Sequence, residues 1–141
     1  MNAYLDSSVL LRQVLDQAPK LREWNDLIIG VTSELTRVEC LRAIDRLRTE
    51  KRATNDTVAH LQTEIEALFG RLDVLRLDSV VLDQASQPLS TPLATLDAIH
   101  LATARLHREA QPDDEPPIFF ATFDRALATA ARATGFRVLG L

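Results

Sequence analysis

The sequence holds one cysteine, Cys40, among 141 residues. A single thiol builds neither a disulfide framework nor a set of thiolates for zinc, so a reducing compartment is the simplest setting. No apolar run approaches the roughly 18 residues that suggest a membrane span. The first residues also lack the basic region, long apolar stretch and small-residue cleavage site of a signal peptide. The expected location is cytoplasmic, with no membrane contact. Internal repeats, low-complexity tracts and long charge blocks are missing too, which excludes repeat arrays and tails. Lysine is scarce: 14 of the 16 basic residues are arginine, with lysine only at Lys20 and Lys51. Arginine is the better residue for bidentate phosphate contact, although coding bias gives the same preference.

Net charge is −4, which argues at first against a polyanionic partner, because nucleic-acid binding normally leaves a basic footprint. That inference weakens if the acids are gathered at a metal site. Two divalent cations held by four carboxylates would bring the formal total to zero.

What is present fits a globular α/β chain. Hydrophobic residues make up 46% and charged residues 26%, far from the composition of disordered chains. The length suits a single domain, 1–141. Short apolar runs alternate with amphipathic segments, as βα units around a parallel sheet require. The pattern predicts strands at 2–5, 27–31, 72–77, 117–121 and 136–139. Helices are predicted at about 8–17, 33–48, 55–69, 79–87, 95–110 and 124–134. Asp78 and the Thr54/Asn55 pair suit helix N-caps, and Gly70 and Gly135 suit helix C-termini. The one composition break, QPDDEPP at 111–117, reads as a surface loop.

Four acids stand out, each with two readings. Asp6 in YLDSS follows the first strand and Asp124 in FFATFDR follows the fourth. Right-handed crossovers bring both to the carboxyl edge of the sheet, where open α/β sheets place chemistry. Each is equally a helix N-cap or first-turn acid. Glu39 lies in SELTRVECLRAIDRLR, either on a solvated ion-pair face with Arg42 and Arg46 or in a Thr36–Glu39 capping box; the earlier serine cap disfavours the box. Asp97 opens TLDAIHLATARL, a helix apolar enough to be buried, and a buried acid requires partners. With Thr95 as N-cap, a first-turn Asp97 also has a purely structural reading. His100, at i+3, either hydrogen-bonds Asp97, approaches a substrate, or is a packed and satisfied core histidine.

Taken in order, YLDSSVLLR, SELTRVECLRA, TLDAIHLATA and ATFDRALATAARATGF resemble the PIN-domain ribonucleases, and in particular the VapC-type toxins of bacterial toxin–antitoxin pairs. The resemblance spans nearly the whole chain. It implies a PIN-like fold, a short parallel sheet of four to five strands flanked by helices. It also implies that Asp6, Glu39, Asp97 and Asp124 converge on Mg²⁺ or Mn²⁺ for cleavage of RNA. In that arrangement Asp6 and Asp97 are direct ligands, Asp124 binds directly or through water, and Glu39 binds or orients the attacking water. The resemblance further implies a homodimer and a small antitoxin partner covering the site.

The chemistry agrees with such a cluster. Mg²⁺ takes oxygen ligands in an octahedron and keeps several waters, so a few carboxylates suffice. Without the metal they repel one another, raising at least one pKa. Ser7 and Thr122 either hold the acids in place or cap locally, and Arg42 either contacts phosphate or pairs with Glu39. The segment RVECLRAIDRLRTEKRA, with Arg37, Arg42, Arg46, Arg48, Lys51 and Arg52, is the candidate for RNA-backbone contact or an ordinary solvated face. Haloacid-dehalogenase-like phosphatases need a second aspartate where Ser8 stands, and receiver domains need an adjacent acidic pair. The remaining alternative is a catalytically silent PIN-like module that binds RNA or protein.

Overall fold

A computed structural model describes all residues, Met1–Leu141. Five short parallel strands form one sheet in the order β3-β2-β1-β4-β5. They are β1 (Asn2–Leu5), β2 (Ile29–Ser33), β3 (Asp73–Leu75), β4 (Ile118–Ala121) and β5 (Val138–Leu139). The chain builds outward from central β1, first to β2 and β3, then back across to β4 and β5. The register pairs Ala3 with Gly30 on one side and with Phe119 on the other. The strand order therefore reverses between β1 and β4, the position where open parallel sheets form a crevice beyond their carboxyl ends.

Right-handed crossovers put the helices on two faces. Helices α1 (Ser7–Val14), α2 (Glu34–Thr49) and α3 (Asn55–Phe69) cover one, and α4 (Ser79–Ala85), α5 (Thr95–Ala110) and α6 (Arg125–Ala133) cover the other. Alternation along β1 sorts its side chains between two cores. Ala3 and Leu5 pack with Leu10, Cys40, Ile44 and Ile65 under α1–α3. Tyr4 packs with Leu101, Phe120 and Leu127 under α5 and α6. Each such fully buried large side chain contributes roughly 1.5–3 kcal/mol of transfer free energy. No helix is long and apolar enough to cross a membrane.

Local signals set most helix starts. Ser33, Thr54 and Asp78 accept the amides of Thr36, Thr57 and Val81 as predicted caps do. Gly135 ends α6 at φ +87°, a left-handed conformation that glycine adopts without a Cβ clash. The QPDDEPP segment forms the loop between α5 and β4.

Several boundaries differ from the sequence expectation. Strand β2 starts at Ile29, not 27, because the ladder with β1 begins at the Asn2–Ile29 pair; before it only the Ile28 amide reaches across, to the Met1 carbonyl at 2.8 Å, and the Ile28 side chain is 81% exposed. β3 shrinks to three residues at the sheet edge, and β5 to two. A 3-10 turn at Arg22–Asp26 was not expected. Helix α1 ends at Val14 rather than 17, with Asp16 beyond it at positive φ. Thr95 is not the cap of α5: it lies inside the helix, and Ala94 at the cap position makes no side-chain cap hydrogen bond.

Candidate active site

Three of the four acids lie at helix starts near the carboxyl edge of the sheet, and Glu39 lies one turn further in. Asp6 immediately follows β1 and caps α1, its Oδ1 accepting the Val9 amide at 3.2 Å. Asp124 follows β4 and caps α6, its Oδ1 accepting the Leu127 amide at 2.8 Å. Glu39 sits in the second turn of α2, and Asp97 in the first turn of α5.

Asp6 is almost fully buried, at 4% exposure, and its carboxylate is correspondingly well partnered. Ser8 Oγ donates to Oδ1 at 2.6 Å and Thr122 Oγ1 donates to Oδ2 at 2.7 Å. The same two hydroxyls accept backbone amides from the turn after β4, Phe123 N at 2.9 Å on Ser8 and Asp124 N at 2.9 Å on Thr122. Two hydroxyls thus lock Asp6 to the turn that carries Asp124. Burial pushes the Asp6 carboxyl above its usual range, and the bonds from Ser8 and Thr122 oppose that rise.

Asp97 is half-buried, and its carboxyl accepts no hydrogen bond from the protein. Burial raises its pKa first, followed by repulsion from Asp124, Asp6 and Glu39; only His100 among its charged neighbours lowers it. The four acids therefore lie within electrostatic reach of one another around Asp97. That reach is not a finished cage: no three carboxylate or imidazole groups stand at ligating distance of a common point.

The donor set fits a hard cation nonetheless. Every available donor is a carboxylate oxygen, Asp97 is unpartnered, and Asp124 uses only Oδ1 as a cap. Mg²⁺ is commonly held by one or two carboxylates with water filling the remaining positions, and asks for no all-protein cage. A thiolate role for Cys40 is excluded, because burial raises its pKa far above neutrality.

His100 is a packed and satisfied histidine, bonded neither to Asp97 nor to open solvent: its Nε2 lies 2.7 Å from Glu39 Oε2 and its Nδ1 2.9 Å from the Tyr4 hydroxyl. Two sequence expectations are corrected here. Arg42 pairs with Asp45 at 3.4 Å and not with Glu39, whose accepting oxygen faces the other helical layer. Of the hydroxyl candidates, Thr122 holds Asp6 as expected, but Ser8 does so rather than Ser7. Tyr4 reads from sequence as one more apolar strand residue, and nothing in the sequence sets the role of Ser8 apart from that of Ser7.

The basic segment divides. Arg37 forks onto Glu66, Arg48 onto Asp45, and Arg52 pairs with Glu50. Arg42, which also reaches Asp45, and Arg46 line a cleft of about 430 Å³ with Glu39, Ser7, Leu35, Val38 and Leu96. Arg46 has no acidic partner.

Comparison with known proteins places this geometry. The family model described as PIN domain matches residues 3–133. The chain is 33% identical to Ribonuclease VapC46 of Mycobacterium tuberculosis, with 96% of this chain and 95% of that protein aligned. Among solved structures, Mycobacterium tuberculosis VapC20, described as a sarcin-ricin loop cleaving toxin, superposes with a TM-score of 0.65 at 16% identity, over 99% of this chain and all of that one. A toxin–antitoxin complex from Klebsiella pneumoniae superposes with a TM-score of 0.60 at 16% identity, covering 90% and 91% of the two chains.

Proposed function

As the chain belongs to the PIN-domain family, we propose that it is a metal-dependent endoribonuclease cleaving phosphodiester bonds in RNA, the toxin of a toxin–antitoxin pair. The observation that carries this reading is the half-buried, unpartnered Asp97 carboxyl surrounded by three further acids. Such an arrangement is costly without a cation and explained with one. The name of the 33%-identical VapC46 supports the reaction class, and likeness to a toxin–antitoxin complex supports the partner.

Asp6, Asp97 and Asp124 would hold Mg²⁺ or Mn²⁺, with Glu39 as a further ligand or as the group that orients the attacking water. When bound, such an ion lowers the pKa of a water and offsets the charge that develops on the phosphoryl oxygens. The protein's own residues do the rest. Ser8 and Thr122 keep the Asp6 carboxylate fixed, so its orientation is set before substrate arrives. Glu39, with one oxygen taken by His100, retains the other for a water proton. Arg42 and Arg46 line the adjoining cleft, where guanidinium groups bind phosphate oxygens of the RNA strand. The cognate small antitoxin would cover that cleft. A homodimer, a single folded unit over 1–141 and a cytoplasmic setting complete the proposal.

The test compares wild type with Asp6→Asn on RNA in Mg²⁺ or Mn²⁺. Cleavage by the wild type, its loss in Asp6→Asn, and unchanged folding and RNA binding by the variant are the expected results. Equal cleavage by the two proteins would overturn the assignment and favour the silent module. Co-purification with the product of a neighbouring small reading frame tests the partner.

A further inference from the structure

Glu39 and His100 lie 61 residues apart, on helices that cover opposite faces of the sheet. Their 2.7 Å contact crosses the carboxyl edge and is the bond between α2 and α5 at that level. His100 is 1% exposed, while the Glu39 side chain remains 21% exposed toward the cleft. A carboxylate oxygen can only accept, so His100 Nε2 carries the proton in this contact. Nδ1 meets the hydroxyl of Tyr4, a residue with no exposure at all, whose ring packs edge-on against the imidazole at 6.1 Å. Both ring nitrogens are therefore committed, to partners on two other elements.

A core histidine needs only to be satisfied, and the Tyr4 hydroxyl together with a backbone carbonyl would do that. Glu39 has an obvious partner of its own: Arg42 follows it at i+3 and Arg46 at i+7 on α2, both on the same cleft. The glutamate takes neither, and Arg42 turns to Asp45. One carboxylate oxygen is instead drawn away from the arginines, toward the helix that carries Asp97. Because Asp97 and His100 stand one turn apart near the start of α5, a single helix sets both Asp97 and the group that holds Glu39.

Resting on the nuclease reading above, we propose that His100 is a positioning residue: braced by Tyr4, it aims the Glu39 carboxylate at the acid cluster and keeps it from collapsing onto Arg42 and Arg46. Groups that orient metal-binding carboxylates from behind typically change metal affinity or activity by about 10- to 100-fold when removed.

The experiment uses the full chain with His100→Leu, His100→Gln and Tyr4→Phe. Mn²⁺ affinity is read by electron paramagnetic resonance, and kcat and KM from RNA cleavage. His100→Leu is expected to weaken Mn²⁺ binding and lower kcat by about 10- to 100-fold, with KM within about twofold. His100→Gln, whose amide nitrogen reaches the place of Nε2, recovers most of both; Tyr4→Phe falls between. Folded His100→Leu with wild-type Mn²⁺ affinity and kcat overturns the inference, as does a glutamine variant no better than leucine. If His100→Leu does not fold, Tyr4→Phe decides: weaker Mn²⁺ binding supports the inference, and unchanged binding overturns it. Loss of cleavage in Asp6→Asn with indifferent His100 variants removes this inference alone. A wild type that neither binds Mn²⁺ nor cleaves RNA removes the nuclease reading and this inference with it.

Discussion

The Thr122 hydroxyl donates to Asp6 Oδ2 at 2.7 Å, across 116 residues of sequence, and accepts the Asp124 amide at 2.9 Å. One fully buried oxygen thereby fixes the acid after β1 relative to the turn after β4. Thr122→Val keeps the shape and removes both bonds. Since a hydrogen bond to a charged group contributes about 1.5–3 kcal/mol, the urea midpoint should fall by a corresponding amount and RNA cleavage with it. Thr122→Ser, which retains the hydroxyl, should stay close to wild type in both measurements.

Asp97 gives a pH dependence with a definite sign. Burial and the neighbouring acids raise its folded-state pKa above the ordinary 3.8. The folded protein then holds its proton more tightly than the unfolded chain, so metal-free stability falls as pH rises from 3.8 through the raised value. Asp97→Asn removes that dependence. Its melting temperature should match wild type at low pH and exceed it at neutral pH, and the variant should show no cleavage. Adding Mg²⁺ should raise the wild-type melting temperature and leave that of the variant unchanged. Equal melting curves at every pH would contradict the raised pKa.

Gly140 supports the site from behind. Its φ is +95°, and a Cβ there would lie 2.6 Å from the Thr122 carbonyl oxygen, a backbone atom with little freedom to move. Gly140→Ala should destabilise by about 1–3 kcal/mol through strain at positive φ and displace Thr122. The measurable consequence is a drop in both the thermal midpoint and cleavage, from a residue with no direct part in the chemistry.

Arg46 lines the cleft without an acidic partner, whereas Arg37 and Arg48 are held by Glu66 and Asp45. Arg46→Ala should weaken RNA binding and reduce the slope of log affinity against log salt by about 0.7–1, one phosphate contact. Arg37→Ala should leave that slope unchanged and cost at most about 1 kcal/mol of stability, as exposed ion pairs do. Fluorescence anisotropy on an uncleavable RNA at several salt concentrations separates the two.

The sequence alone determined the parallel α/β class, five of the five strands in outline, and the caps at Ser33, Thr54 and Asp78, because these follow from short-range hydrophobic period and local hydrogen bonding. It also picked out the four acids, three of them beside a recognisable strand end or helix start and Glu39 within a helical pattern. Asp6 and Asp124 carried two readings, cap or chemistry, and the structure shows both acids capping. A capping carboxylate commits one oxygen and leaves lone pairs of the other, so the readings were never exclusive.

Tertiary structure alone decided who partners whom. Nothing local distinguishes Ser8 from Ser7, marks Tyr4 as more than a strand residue, or sends His100 to Glu39 rather than to Asp97, its neighbour on the same helix. The His100 and Tyr4 contacts, and the Phe123 amide that Ser8 accepts, depend on directions in space between elements 61 to 116 residues apart. Sequence spacing fixes which face of a helix or strand a side chain leaves from; only the packing of two helical layers against one sheet fixes what it meets there.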